Sequence, residues 1–247
     1  MKTIKFLFLL FCLILLNSCV ISARDSRFPT QSFVKVHAKM TVEICSENTA
    51  AASVCKKNDF YSVGSGAVVG HKGGNTVILT AGHVCHDALE GSLKKIATNV
   101  SMEFRVQNTK NEYYPVRVKD ISPEFINGNE LDLCLLESNG IISMPVLHVA
   151  MVGPKVGEKI YNVAAPTGSF YPPTVPLLSG YYSGPLHNQY HDLITIPATG
   201  GSSGSPVLNK KGELIGLIFA ANVQFQHLTI SIRHETVRKY LQRHLYP

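Results

Sequence analysis

The chain has 247 residues, of which 45% are hydrophobic and only 16% charged, with a formal net charge of +6. That is enough apolar material for a sizeable core in one or two domains. The positive excess is mild and no block of lysine or arginine concentrates it, so nucleic-acid binding gains no support.

Residues 1–18 carry Lys2 and Lys5, then the apolar run from Phe6 to Leu16, then small polar residues. This is the pattern of a secretory signal peptide, too short to span a membrane comfortably as a mature helix. Its removal takes two lysines and no acid, so +6 becomes +4. The segment runs into Leu16-Asn17-Ser18-Cys19, which resembles a bacterial lipobox, where a cysteine is lipidated and becomes the new N-terminus. Ordinary cleavage after Ala23 is the alternative. Either way the mature protein is exported, as a lipoprotein held to a membrane through Cys19 or as a secreted or periplasmic chain. Residues 19–33 read as a polar tether.

Beyond the tether, short apolar or alternating runs follow one another with Gly, Pro, Asn and Asp between them. Examples are "SFVKVHAKM", "SVGSGAVVG", "NTVILTAGHV", "LDLCLLES", "HDLITIPA" and "ELIGLIFAAN". Their spacing of roughly 8–15 residues marks an all-β chain of sandwich or barrel type. Lys210-Lys211-Gly212 reads as a hairpin turn between "SPVLN" and "ELIGLIF". One clear helix closes the chain: in "RHETVRKYLQRHLY", Val237, Tyr240, Leu241 and either His244 or Leu245 share a face.

With Cys12 in the leader and Cys19 as the candidate lipid anchor, four cysteines remain: Cys45, Cys55, Cys85 and Cys134. An even count in an exported chain predicts two disulfides, with three pairings open. Cys45 and Cys55 flank a short stretch of polar and small residues, which favours a local bond between them. There is no CxxC pair and no Cys/His cluster at ligand spacing, so no metal and no cofactor are expected. Of the ten histidines, His71, His86, His187 and His191 have no special setting and read as solvent-facing.

The most informative stretch is "ATGGSSGSPVLN", Ala198 to Asn209. Strand-like sequence flanks it on both sides, so it is a tight turn and not a linker. Such a turn can aim successive backbone N–H groups into one concavity. Gly200 to Gly204 fits G-x-S-x-G, the nucleophile elbow of α/β-hydrolases, with Ser202 as nucleophile. That reading needs an acid, a histidine and further β/α units downstream. Only 44 residues follow Ser203, and no crossover helices precede it.

Gly201 to Pro206, "GSSGSP", instead resembles the serine loop of trypsin-like proteases, with Ser203 as nucleophile. Upstream, "TAGH" places His83 directly after an apolar strand and resembles the histidine motif of the same family. Forty-nine residues later Asp132 sits in the apolar run Leu131 to Leu136, where a buried carboxylate requires a hydrogen-bond partner. The order His83, Asp132, Ser203 is the trypsin order. The resemblance is to the chymotrypsin-fold serine proteases and covers roughly residues 34–245. "TGGSSGSPV" and "DLCLL" look most like the bacterial glutamyl-endopeptidase branch.

That resemblance implies two six-stranded antiparallel β-barrels, residues 34–138 with the histidine and aspartate and 139–247 with the serine, plus a C-terminal helix. It implies a catalytic triad of His83, Asp132 and Ser203, an oxyanion hole from the N–H groups of Gly201 and Ser203, and a protein or peptide substrate. If His83 and Asp132 touch, Cys85 and Cys134, each two residues further on, are close as well, which predicts a Cys85–Cys134 bond. The family's pocket base, about six residues before the nucleophile, falls on Pro197. Ala198, Thr199, Ile218, Ala220 and Ala221 complete the expected walls, and none carries a charge. Ser202 stands where zymogen-type members have an aspartate, so that activation switch is absent. Two alternatives share the fold: a non-catalytic extracellular binding module, and an esterase using the same site.

Overall fold

The structure is a computed structural model that describes residues 28–46, 54–86, 95–127 and 131–245. The leader, Cys19 and most of the tether lie outside the described residues.

Twelve strands build two closed antiparallel barrels. The first contains β1 (Phe33–Ser46), β2 (Val54–Lys72), β3 (Asn75–Thr80), β4 (Asn99–Gln107), β5 (Tyr113–Ile121) and β6 (Cys134–Ser138), hydrogen-bonded in the order β1-β2-β3-β6-β5-β4 and closed by β1 against β4. The second contains β7 (Lys159–Val163), β8 (Leu177–Pro185), β9 (His191–Ile194), β10 (Pro206–Leu208), β11 (Leu214–Ala221) and β12 (Thr229–Arg233). Its order, β7-β8-β9-β12-β11-β10, repeats that of the first. Closure leaves neither sheet with a free edge.

The sequence alternation explains the placement. In β1, Val34, Val36 and Ala38 are buried inside the first barrel, while Lys35, His37 and Lys39 point outward. Each barrel has its own interior, one around Val36, Ile78 and Leu136, the other around Ile160, Ile194 and Ile215. A third cluster joins Phe33, Leu79, Leu133 and Leu135 of the first barrel to Val163, Leu208 and Leu217 of the second. Strand β6 is buried along its whole length because both faces are covered.

Among the described residues, short or terminal helices complete the fold, including α1 (Gly82–Cys85), α2 (Pro123–Ile126) and α3 (His234–Leu245). The buried face of α3 is His234, Val237, Tyr240, Leu241 and Leu245, so Leu245 and not His244 ends the stripe. Burying each large apolar side chain there contributes roughly 1.5–3 kcal/mol. The turn between β10 and β11 is built on Asn209: its Oδ1 accepts from Lys211 N–H (2.9 Å) and Gly212, at φ 79°, completes the reversal.

Disulfides join Cys45 to Cys55 across the β1–β2 ladder and Cys85 of α1 to Cys134 at the start of β6, with Cα–Cα distances of 4.0 and 6.5 Å.

Candidate active site

The site is assembled where the two barrels meet. Strand β3 ends at Thr80, Ala81 is extended, and α1 begins at Gly82, so His83 stands on the first turn beyond a buried strand. Asp132 lies two residues ahead of β6 and not inside it, because Leu133 N–H turns back to Leu131 O (3.1 Å). The irregular segment lets a fully buried carboxylate face α1. Asp132 Oδ1 accepts from His83 N–H at 2.6 Å, and Asp132 Oδ2 is hydrogen-bonded to His83 Nδ1. With Nδ1 as the donor, the neutral imidazole keeps Nε2 as an acceptor. The His83 side chain is 42% exposed, so that edge is open to the cleft.

Gly82 is small for a reason. A Cβ there would lie 2.7 Å from Asp132 Oδ1 and 3.2 Å from the ring of Phe125, which α2 lays against the pair. The Cys85–Cys134 bond ties the helix that carries His83 to the strand that follows Asp132.

Ser203 sits in the turn ahead of β10. Gly201 (φ 89°) and Gly204 (φ 82°) carry backbone conformations that disfavour other residues. Both also pass close to backbone: a Cβ on Gly201 would lie 2.5 Å from Ala165 O, and one on Gly204 would lie 2.7 Å from Ala81 N. The turn is thus wedged between a loop of the second barrel and the start of the histidine segment of the first.

Four successive carbonyls of this turn each receive a donor. Gly200 O accepts from Thr167 N–H (2.6 Å), Gly201 O from the Ser65 hydroxyl (2.8 Å), Ser202 O from Ser205 N–H (3.0 Å) and Ser203 O from Ser65 N–H (2.8 Å). Across a trans peptide the N–H points opposite to the carbonyl. Anchoring Gly200 O and Ser202 O therefore turns the N–H groups of Gly201 and Ser203 away from their anchors. Among the described residues neither N–H meets a protein acceptor.

The two adjacent serines differ in setting. Ser202 is 1% exposed and its hydroxyl accepts from Thr199 N–H at 3.3 Å. Ser203 is partly exposed and lines a cavity of about 180 Å³. A Cβ on Gly64 would lie 3.3 Å from Ser203 O and 2.9 Å from a methyl of Val84, so the serine backbone and the residue after His83 are separated by little more than one side chain. His83 and Asp132 are in contact, and Ser203 lies close to the residue after His83, with no hydrogen bond from its hydroxyl to the imidazole among the described residues.

The cavity is also lined by Ala198, Thr199, Ile218, Ala220 and Ala221, with no charged side chain. Pro197 is not part of it. Gly200, Phe219, Asn222, Val223 and Gln226 are, and the sequence did not reveal them. A register shift between Ile218 and Ala220 sets Phe219 out of the regular ladder, and its ring stacks on His191 at 4.7 Å and 15°. His191 was expected to face solvent, but it is 2% exposed. The reason is Arg233 of β12, whose guanidinium reaches the carbonyls of Leu186, Asn188 and His191 and draws this hairpin inward. Arg233 Nε also donates to Asp192 Oδ1 (3.1 Å); burial pushes that carboxyl above its usual range, and the hydrogen bonds from Tyr182 and Arg233 oppose the shift.

A family model described as a trypsin-like peptidase domain matches residues 64–217, from Gly64 beside the serine turn to Leu217 in β11. The chain belongs to the trypsin-like peptidase family. The match spans His83, Asp132 and Ser203. Among solved structures, the serine endoprotease from Yersinia pestis is similar, at 17% identity and a TM-score of 0.61. The similarity covers 88% of this trypsin-like chain and 64% of the Yersinia chain, a likeness of fold. No curated protein sequence matches.

Ser65 is the residue of this neighbourhood that the sequence concealed. It lies in "SVGSGAVVG", where a serine between two glycines reads as an ordinary strand position. The only signal was that pair of glycines, which marks a close backbone approach.

Proposed function

We propose that this protein is an exported serine endopeptidase, with Ser203 as nucleophile, His83 as general base and acid, and Asp132 as the group that orients His83. The observation that carries this reading is the fully buried Asp132 holding both the N–H and the Nδ1 of His83, with Val84, the residue after His83, and Ser203 O brought together at Gly64. Ser203 Oγ attacks the scissile carbonyl as His83 Nε2 takes its proton. The oxyanion is received by the N–H groups of Gly201 and Ser203. His83 then protonates the leaving amine, and water hydrolyses the acyl-enzyme by the same route in reverse. Asp132 stays ionised throughout, stabilising the imidazolium.

The P1 pocket is the cavity beside Ser203. A cationic P1 side chain needs a carboxylate at its base, and an anionic one is best matched by a cation. Its lining offers neither charge, and Ile218 is buried where a glutamyl endopeptidase would carry a histidine. The resemblance to that branch therefore does not extend to its specificity, and an uncharged, apolar P1 side chain fits best. The two disulfides support an oxidising compartment. Anchoring through a lipid on Cys19 rests on the sequence pattern alone.

Digestion of a mixed peptide library by the wild type and by Ser203→Ala, with ester analogues alongside, tests the reading. It expects peptide cleavage that disappears in the variant. Cleavage of esters only would make the protein an esterase, and no turnover of either would leave a binding module.

A further inference from the structure

We infer that Ser65, a residue of the first barrel, is the positioning residue that holds the oxyanion-binding turn of the second barrel in its working conformation. This rests on the serine-peptidase reading above.

Ser65 is fully buried in β2, and each of its hydrogen-bonding groups is engaged. Its hydroxyl donates to Gly201 O (2.8 Å) and accepts from Ala165 N–H (3.0 Å). Its N–H donates to Ser203 O (2.8 Å), and its own carbonyl accepts from the Thr80 hydroxyl (2.8 Å). Ser65 thus touches the residue before Ser202, the nucleophile itself, and the strand end three residues before His83.

The hydroxyl has a separate task from the backbone. Gly201 has no side chain to restrain it and sits at φ 89°, so the peptides on either side can rotate unless both carbonyls are held. Thr167 N–H holds the first, and Thr167 is itself in the left-handed region at φ 53°. The Ser65 hydroxyl holds the second. It also fastens Ala165, two residues before Thr167, so one oxygen fixes the turn and the loop that supports it. Of the four donors on the carbonyls of residues 200–203, only this one is a side chain. Removing it leaves the Gly201–Ser202 peptide held only by Ser202 N–H on Thr199 O (2.9 Å), and it unfastens Ala165 and so loosens the loop whose Thr167 N–H holds the Gly200–Gly201 peptide, while the ladder hydrogen bonds of β2 remain. Gly201 N–H would then no longer be aimed where negative charge develops in the transition state.

The loss should fall on kcat and leave ground-state binding nearly unchanged, because an oxyanion donor acts on the transition state. Ser65→Ala should lower kcat by about tenfold to a hundredfold, less than or equal to deletion of an oxyanion donor outright. KM for a peptide ester should stay within about twofold. Affinity for a peptidyl trifluoromethyl ketone, whose hemiketal oxygen occupies the oxyanion site, should fall in parallel with kcat, while affinity for the product peptide should not. Ser65→Cys, similar in size but a weaker donor, should lie between the two and carries the test if the alanine variant does not fold. An unchanged kcat in folded Ser65→Ala, or a rise in KM alone, overturns the inference while Ser203-dependent turnover by the wild type still stands. A wild type with no such turnover overturns both.

Discussion

Breaking the Cys85–Cys134 bond should cost more stability than breaking Cys45–Cys55. The two cysteines are 49 positions apart, and 10 separate Cys45 from Cys55. In the loop-closure account, constraining the unfolded chain over these lengths stabilises by about 4 and about 3 kcal/mol respectively. The longer bond is also buried, with Cys134 fully enclosed and Cys85 4% exposed. The shorter one lies on the outer part of the β1–β2 hairpin, where Cys55 is exposed. A loss of about 4 kcal/mol is a large share of the roughly 5–15 kcal/mol by which domains are stable. For a domain of this size it corresponds to a fall in Tm of about 8–16 °C. Thermal and urea unfolding of Cys85→Ala/Cys134→Ala against Cys45→Ala/Cys55→Ala measures the difference. Because the longer bond ties α1 to β6, its loss should also reduce turnover at temperatures where the protein is still folded, and loss of the shorter bond should not. A cost below about 1 kcal/mol for the longer bond, or one smaller than for the shorter, would refute the reasoning.

Ser202→Ala removes a hydroxyl that only accepts from Thr199 N–H, so it should cost about 1 kcal/mol of stability and keep most of the activity; a dead Ser202 variant beside an active Ser203→Ala would reverse the assignment of the nucleophile. A P1-varied peptide library should show cleavage after apolar residues, and dominant cleavage after Glu, Lys or Arg would contradict the uncharged pocket. The Glu137 carboxyl is held below its usual range chiefly by its hydrogen bond from Lys119, with Arg117 adding to the effect. Its stabilising contribution is therefore present above the unfolded value of about 4.3 and lost as pH falls through the lower folded value. Glu137→Gln should accordingly destabilise at pH 7, and the gap from the wild type should close on acidification; a gap that persists undiminished in acid would show that the ionised form is not what matters.

The parts of this molecule legible in the sequence are those encoded locally. His83 and Ser203 stand in short motifs whose glycines are required by the contacts around them, as the space at Gly82, Gly201 and Gly204 makes plain. Val34, Val36 and Ala38 alternate along β1 as a half-buried strand must. What stayed hidden depends on residues far apart in the chain. Ser65 is defined by partners 15 to 138 positions away, and nothing beside it in sequence announces them. His191 looked exposed within "HNQYHDL" because the arginine that draws it inward lies in β12. The family resemblance puts Pro197 at the pocket base, but the cavity is lined without it and includes Asn222, Val223 and Gln226 of the loop after β11. Asn222 shapes the loop by accepting from the N–H groups of Gln224 and Phe225.

Labelling with a serine-directed fluorophosphonate, followed by mass mapping of the adduct, addresses the proposed chemistry at its source. The reagent reacts far faster with a hydroxyl activated by a base than with an ordinary one, so of the serines Ser203 alone should be labelled. It should be absent in Ser203→Ala and strongly slowed in His83→Ala. Labelling of Ser202, or no labelling of the folded wild type under conditions that label an active serine protease, would contradict the assignment of Ser203, His83 and Asp132 as a working triad.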